Sequence, residues 1–153
     1  MCAQAEIVAV SVSRRKGIPK SNVAVAHLLP EHGLQGDAHA GPGHRQVSLL
    51  AEESIARMVE KGLAVHPGSF AENITTRGID LAGLPVGTML ALGEEAVLEV
   101  TQIGKECHAR CAIYERAGDC VMPKEGIFAR VVKGGSLRRG DAVRVGAERR
   151  KGA

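Results

Sequence analysis

The chain contains no tryptophan, one tyrosine and two phenylalanines among its 153 residues. A core built from it must rely on Val, Leu, Ile and Ala. The shortage of rings also argues against a stacking platform for single-stranded nucleic acid, so no nucleic-acid partner is expected. No apolar run approaches the ~20 residues that cross a bilayer, and the first residues lack the apolar segment of a secretory signal. The expectation is a soluble, cytoplasmic protein with no membrane contact. Neither sign of charge dominates, since the net charge is only +3. The basic residues gather at Arg14-Arg15-Lys16 with Lys20, at Arg138-Arg139, and in the tail Arg149-Arg150-Lys151. The tail reads as a solvated end, whereas the loop cations could gather around a phosphate.

Nothing in the chain reads as a linker or a low-complexity stretch. A single domain over 1–153 is expected, with a core from about 6 to 146 and a basic tail at 147–153. Glu6–Ser13 alternates as a first strand, and Val23–Leu29 reads as a second. Gly33–Arg45, with four glycines and a proline, reads as a loop before a third strand at Gln46–Leu50. Ile55, Met58 and Val59 have helical spacing behind the acids Glu52 and Glu53, which predicts a helix over Glu52–Lys61 ending at Gly62. Further strands are expected at Phe70–Thr76, Met89–Leu92, Ala96–Ile103, Phe128–Val132 and Ala142–Val145. Leu84–Gly93 and Leu137–Gly146 share the pattern Leu-x-x-Gly-polar-x-aliphatic-x-aliphatic-Gly, a turn feeding a strand. Many short strands, glycine turns and one or two short helices define a mainly β, barrel-like fold class.

Cysteine is also scarce, and its distribution is uneven. Of four cysteines, three fall with His108 inside the fourteen residues Cys107–Cys120, while Cys2 stands apart at the terminus. In a reducing compartment such thiols act as ligands, nucleophiles or redox groups rather than staples. Cys107, His108, Cys111 and Cys120 make a formal zinc set, but neighbouring side chains in a strand point to opposite faces, so only a loop could bring all four together. Lys105 near Cys107 and Arg110 beside Cys111 would favour the thiolate, the form that attacks or ligates a soft metal.

Three other segments carry candidate chemistry. In Gly36–Arg45, small residues let a ligand approach the backbone, and His39, His44 and Arg45 could bind anionic oxygens or, as two histidines, a metal. In Gly68–Gly78, Asn73 and Thr75 could recognise a ligand, or Glu72 and Asn73 could cap a turn through local backbone bonds. In Met122–Arg130, Arg130 faces either a cavity or solvent.

These motifs occur together and in order. Gly36-Asp-Ala-His-Ala-Gly41 with His44–Leu50, Phe70-x-Glu72-Asn73-Ile74, the segment Cys107–Cys111, and Gly118-Asp119-Cys120 through Gly135 resemble the MOSC domain family, over about Ile7 to Val145. These domains stand at the C-terminus of molybdenum cofactor sulfurases and, alone, in small bacterial proteins. The resemblance implies a MOSC-type barrel that binds the molybdenum cofactor, a pterin dithiolene with a phosphate, through a cysteine that ligates molybdenum or carries sulfur. In relatives that reduce N-hydroxylated compounds the ligating cysteine follows an arginine in Cys-x-Arg-Cys. Arg110-Cys111 matches that pair, although the preceding cysteine here makes Cys-x-x-Arg-Cys. Other stand-alone members place a single cysteine nearer Cys107. The implied metal ligand and catalytic thiolate is therefore Cys111 or Cys107, with Lys16, His39, His44, Arg45, Asn73, Thr75, Arg110 and Arg130 as candidate cofactor-binding residues.

The sequence lacks the large pyridoxal-phosphate domain that generates persulfide in the sulfurases, so no pyridoxal phosphate is expected on this chain. Expected partners are the pterin cofactor and a cysteine desulfurase, a molybdoenzyme or an electron-donor protein. An oxidoreductase, a cofactor carrier, a persulfide relay and a zinc-stapled domain all remain open from sequence.

Overall fold

The computed structural model describes residues 5–15, 20–43, 46–103 and 126–146. Within them the chain forms eleven strands and one α-helix. Eight strands make one sheet in the order β11 (Val143–Val145), β7 (Met89–Leu92), β8 (Ala96–Ile103), β9 (Ile127–Lys133), β5 (Val47–Ala51), β6 (Ile74–Arg77), β1 (Glu6–Val12) and β2 (Ser21–Val23). A second sheet joins β10 (Gly135–Arg138), β3 (Val25–Leu29) and β4 (Gly33–Leu34).

The large sheet curls into a half-barrel, and main-chain bonds tie β1 to the segment leading into β11. Ile7 donates to the Asp141 carbonyl at 2.8 Å, Gly140 donates to that of Ile7 at 2.8 Å, and Glu6 bridges Ala142. The interior is aliphatic, as the composition requires, with Ile7, Leu49, Ile74, Leu90, Leu98 and Val131 fully buried.

β5 and β6 run parallel, with α1 (Glu52–Glu60) as their crossover, whereas the other pairings are antiparallel. A parallel pair needs such a crossover. The helix docks Ile55 and Met58 onto Leu50, Leu63, Phe70 and Phe128, so both phenylalanines serve a second, smaller core. Each of those two helix side chains contributes about 1.5–3 kcal/mol by burial. Gly62, at φ +94°, lets the chain turn away after the helix. β5 is buried on both faces. Val47 and Leu49 enter the barrel core, Leu50 meets the helix cluster, and Ser48 is left to a polar network.

The two Leu-x-x-Gly segments become β7 and β11 with their turns, and the two strands pair with each other, Leu92 opposite Val143 and Leu90 opposite Val145. Their glycines exchange equivalent bonds: Gly93 donates to Ala142 and Gly146 to Met89.

Three expectations are corrected. The strand expected at Val23–Leu29 divides at Ala24, because β2 pairs with β1 in the large sheet while β3 pairs with β10 in the small one. The strand expected at Phe70–Thr76 begins only at Ile74, since residues 67–70 form a turn. The loop expected at Gly33–Arg45 opens with β4, and β10 was not foreseen.

Candidate functional site

A polar cluster stands out against the aliphatic interior where the chain leaves β1, returns at Lys20, and crosses the loop after β4. Lys20 and Asp37 form an ion pair at 2.8 Å, and both side chains are completely buried. The Lys20 Nζ also donates to the Ser13 hydroxyl at 3.2 Å and to His39 Nδ1 at 2.8 Å. An ammonium has three hydrogens, so this one is saturated. Asp37 is used as fully: Oδ1 also accepts the Ser13 amide at 3.0 Å, and Oδ2 accepts the His39 amide at 3.1 Å. Burial alone would raise the Asp37 carboxyl. The Lys20 hydrogen bond, the Ser13 amide, the Lys20 charge and the Asn73 amide outweigh it and hold the carboxyl below the usual carboxylate value.

Asn73 extends the network across three strands. Its side-chain oxygen accepts the Ser48 amide at 3.0 Å and the Ser48 hydroxyl at 3.2 Å, and its nitrogen donates to the Ser11 carbonyl at 3.2 Å. The Asn73 amide thus has protein partners on both its oxygen and its nitrogen. It fastens β1, β5 and the entry to β6 together.

Beside it, the fully buried Glu72 accepts from the Gly68 amide at 2.7 Å, the Phe70 amide at 3.2 Å and the Thr75 hydroxyl at 2.9 Å. Desolvation outweighs these donors and pushes the Glu72 carboxyl up. The turn that Glu72 braces holds Lys20 through a bond from the Lys20 amide to the Gly68 carbonyl at 2.8 Å.

The other sequence-derived candidates fall in different places. Arg130, on β9, pairs with Glu99 at 2.7 Å and with Glu31. These two carboxylates raise its already high pKa, the Glu99 hydrogen bond contributing most. Glu31 accepts from Gln46, which also donates to the Gly43 carbonyl at 3.0 Å, so Arg130 connects to the far end of the loop carrying Asp37 and His39. Lys16, His44, Arg45, Cys107, Arg110 and Cys111 lie outside the described residues, as do His108 and Cys120. Among the described residues no three His, Cys, Asp or Glu side chains group to hold a metal, and no helix is long and apolar enough to cross a membrane.

Sequence reading missed Ser13, Lys20 and Asp37 as one unit. Lys20 was grouped with the loop cations, yet it is buried and matched by an acid. A lone acid among small residues at Gly36-Asp37-Ala38 was the available signal.

The fold and this network define a small half-barrel domain with a buried, charge-matched polar core at one side. The chain belongs to the MOSC domain family, whose sequence model matches residues 35–144. That family is associated with the molybdenum cofactor and with sulfurase-like proteins. Among solved structures the fold resembles the YuaD protein of Bacillus subtilis, with a TM-score of 0.78 at 16% identity over 94% of this chain and 96% of that one. It also resembles YiiM of Geobacillus stearothermophilus (TM-score 0.69, 20% identity, 92% of this chain and 74% of that one). YiiM of Escherichia coli gives 0.68 at 18% identity, over 97% and 72% of the two chains. A search of curated proteins finds no match.

Proposed function

We propose that this domain binds the molybdenum cofactor and uses it to reduce N-hydroxylated compounds, with Cys111 or Cys107 as the thiolate on the metal. The observation that carries this reading is where the cysteine segment is rooted. It leaves β8 after Ile103 and rejoins β9 at Ile127, and these two residues are paired. Ile127 pairs in turn with Leu49, and Phe128 with Ser48, the residue bonded to Asn73. Both described ends of the cysteine segment therefore lie on paired strands, one of which is next to the strand that borders the buried polar network.

The donor chemistry of the described residues fits such a group. His39 is partly exposed above a neutral ion pair, and Arg14 and Arg15 are exposed next to Ser13. Imidazole and guanidinium groups suit the phosphate and the polar ring edge of a pterin, and the soft metal ligands come from cysteine. His39 and the loop cations Lys16, His44, Arg45 and Arg110 would hold the cofactor. Asn73 and Thr75 support it by fixing the strand entry and Glu72, and Arg130 by holding Glu31 against Gln46. The bound cofactor supplies two-electron chemistry. Cleavage of an N–O bond takes two electrons from a donor protein and two protons, and releases water.

The test is elemental analysis for molybdenum, tungsten and zinc on protein purified without oxygen from a cofactor-competent host, with Cys107→Ser and Cys111→Ser alongside. Molybdenum near one per chain, lost in one variant, supports the reading and names the ligand. Zinc at one per chain would instead favour a stapled domain. Loaded protein that hands cofactor to an apo-enzyme without turnover would make it a carrier, and a metal-free protein carrying persulfide a relay.

A further inference from the structure

We infer that Lys20 and Asp37 are positioning residues for His39, which they hold as the neutral imidazole carrying its proton on Nε2. Lys20 Nζ donates to Asp37 Oδ1 at 2.8 Å in a buried ion pair, and an ammonium offers no lone pair. At 2.8 Å from Lys20 Nζ, His39 Nδ1 must therefore present its own lone pair. The bond made by one ring nitrogen decides which nitrogen is protonated, so the hydrogen resides on Nε2. Asp37 fixes the root of the same side chain, because its Oδ2 accepts the His39 amide at 3.1 Å. That oxygen lies 4.0 Å from Nδ1, beyond a hydrogen bond, so it does not compete for the ring.

Exposure divides the labour. The Lys20 and Asp37 side chains are 0% exposed and cannot touch a ligand, whereas that of His39 is 36% exposed. Lys20 is thus a fixed support rather than an anion grip. His39 offers an N–H donor, and its Nδ1 is unavailable to a metal. The ligand atom this suits is an acceptor oxygen on an anionic or carbonyl-bearing group. Its identity as a phosphate or pterin oxygen rests on the cofactor reading proposed above, but the tautomer does not.

The test is a long-range proton–nitrogen correlation spectrum of the full chain labelled with 15N-histidine, with His39 assigned among the six histidines by His39→Gln. The expected pattern is a protonated Nε2 and a bare Nδ1 in the wild type. Lys20→Met and Asp37→Asn should each lose that preference. A protonated Nδ1 in the wild type overturns the inference, as does an unchanged pattern in both variants. If Lys20→Met does not fold, the wild-type spectrum and Asp37→Asn still decide.

Molybdenum content gives the functional readout. A glutamine places its amide N–H where Nε2 stood and an asparagine places it nearer Nδ1, so His39→Gln should retain several-fold more molybdenum than His39→Asn or His39→Phe. Equal retention in all three would overturn the donor role. A molybdenum-free wild type with the Nε2–H pattern intact would sink the cofactor reading and leave the positioning role standing. A loaded wild type with the proton on Nδ1 would do the reverse.

Discussion

The Lys20 amide donates to the Gly68 carbonyl at 2.8 Å, and a Cβ added to Gly68 would strike the Lys20 carbonyl in return. This close approach of two backbones, from residues far apart in the chain, fixes where the buried lysine enters the polar network.

Gly62 and Gly68 form a natural control pair, because their φ angles are +94° and +95°. At Gly62 nothing lies within 4 Å of an added Cβ. Gly62→Ala should cost about 1–2 kcal/mol, the left-handed penalty alone. Gly68→Ala should cost clearly more and disturb Lys20. Urea denaturation of both variants checks this, and equal losses would show that the contact with Lys20 does not matter.

Breaking the buried ion pair should be severe. Lys20→Met leaves the Asp37 carboxylate without its cation in a dry site, a loss of about 3–5 kcal/mol. A double variant, Lys20→Met with Asp37→Leu, removes both charges and should recover part of that loss. Chemical unfolding of the single and double variants measures it. No recovery in the double variant would mean that the pair's hydrogen bonds to Ser13 and His39, not its charge balance, dominate.

The two buried carboxyls predict opposite slopes of stability with pH. Asp37 is depressed in the folded state, so its stabilisation is present above its unfolded value and is lost as pH falls through the folded value. Glu72 is raised, so the folded protein binds more protons than the unfolded chain between the ordinary and the raised value. There its contribution diminishes as pH rises. Urea midpoints across the acid-to-neutral range should lose the falling limb in Glu72→Gln and the acid-side loss in Asp37→Asn. A falling limb that survives in Glu72→Gln would assign it to another group.

Gln46 is buried, and its side-chain oxygen accepts the Val131 amide at 2.9 Å. Gln46→Leu leaves that amide unsatisfied and removes one of the partners of Glu31, for a loss of about 1–3 kcal/mol. Arg130→Ala, whose ion pairs are partly exposed, should cost no more than about 1 kcal/mol. A reversed order in thermal or urea unfolding would show that Arg130 does more than hold Glu31.

Much of the architecture was legible because local periodicity carried it. The helix expected at Glu52–Lys61 forms over Glu52–Glu60, and Met89–Leu92 and Ala96–Ile103 are strands as expected. The repeated Leu-x-x-Gly pattern signalled two equivalent turns. It could not reveal that β7 and β11 are neighbours, because pairing partners lie outside any local window. Val23–Leu29 looked continuous, and only membership of two different sheets divides it. Likewise, Phe70–Thr76 alternates well enough for a strand, but Glu72 draws the Gly68 and Phe70 amides to itself and keeps the chain in a turn until Ile74.

By itself, then, the sequence determined the mainly β class, the aliphatic core, the helix that opens at Glu52 and the family, because each follows from composition, spacing or ordered motifs. Only the tertiary structure decided the roles of the polar residues. Whether Lys20 is a surface cation or a buried support depends on Asp37 and His39 from one loop and Ser13 from another segment arriving around it. Such long-range convergence sets burial and charge pairing, and neither is written in a residue's neighbours along the chain.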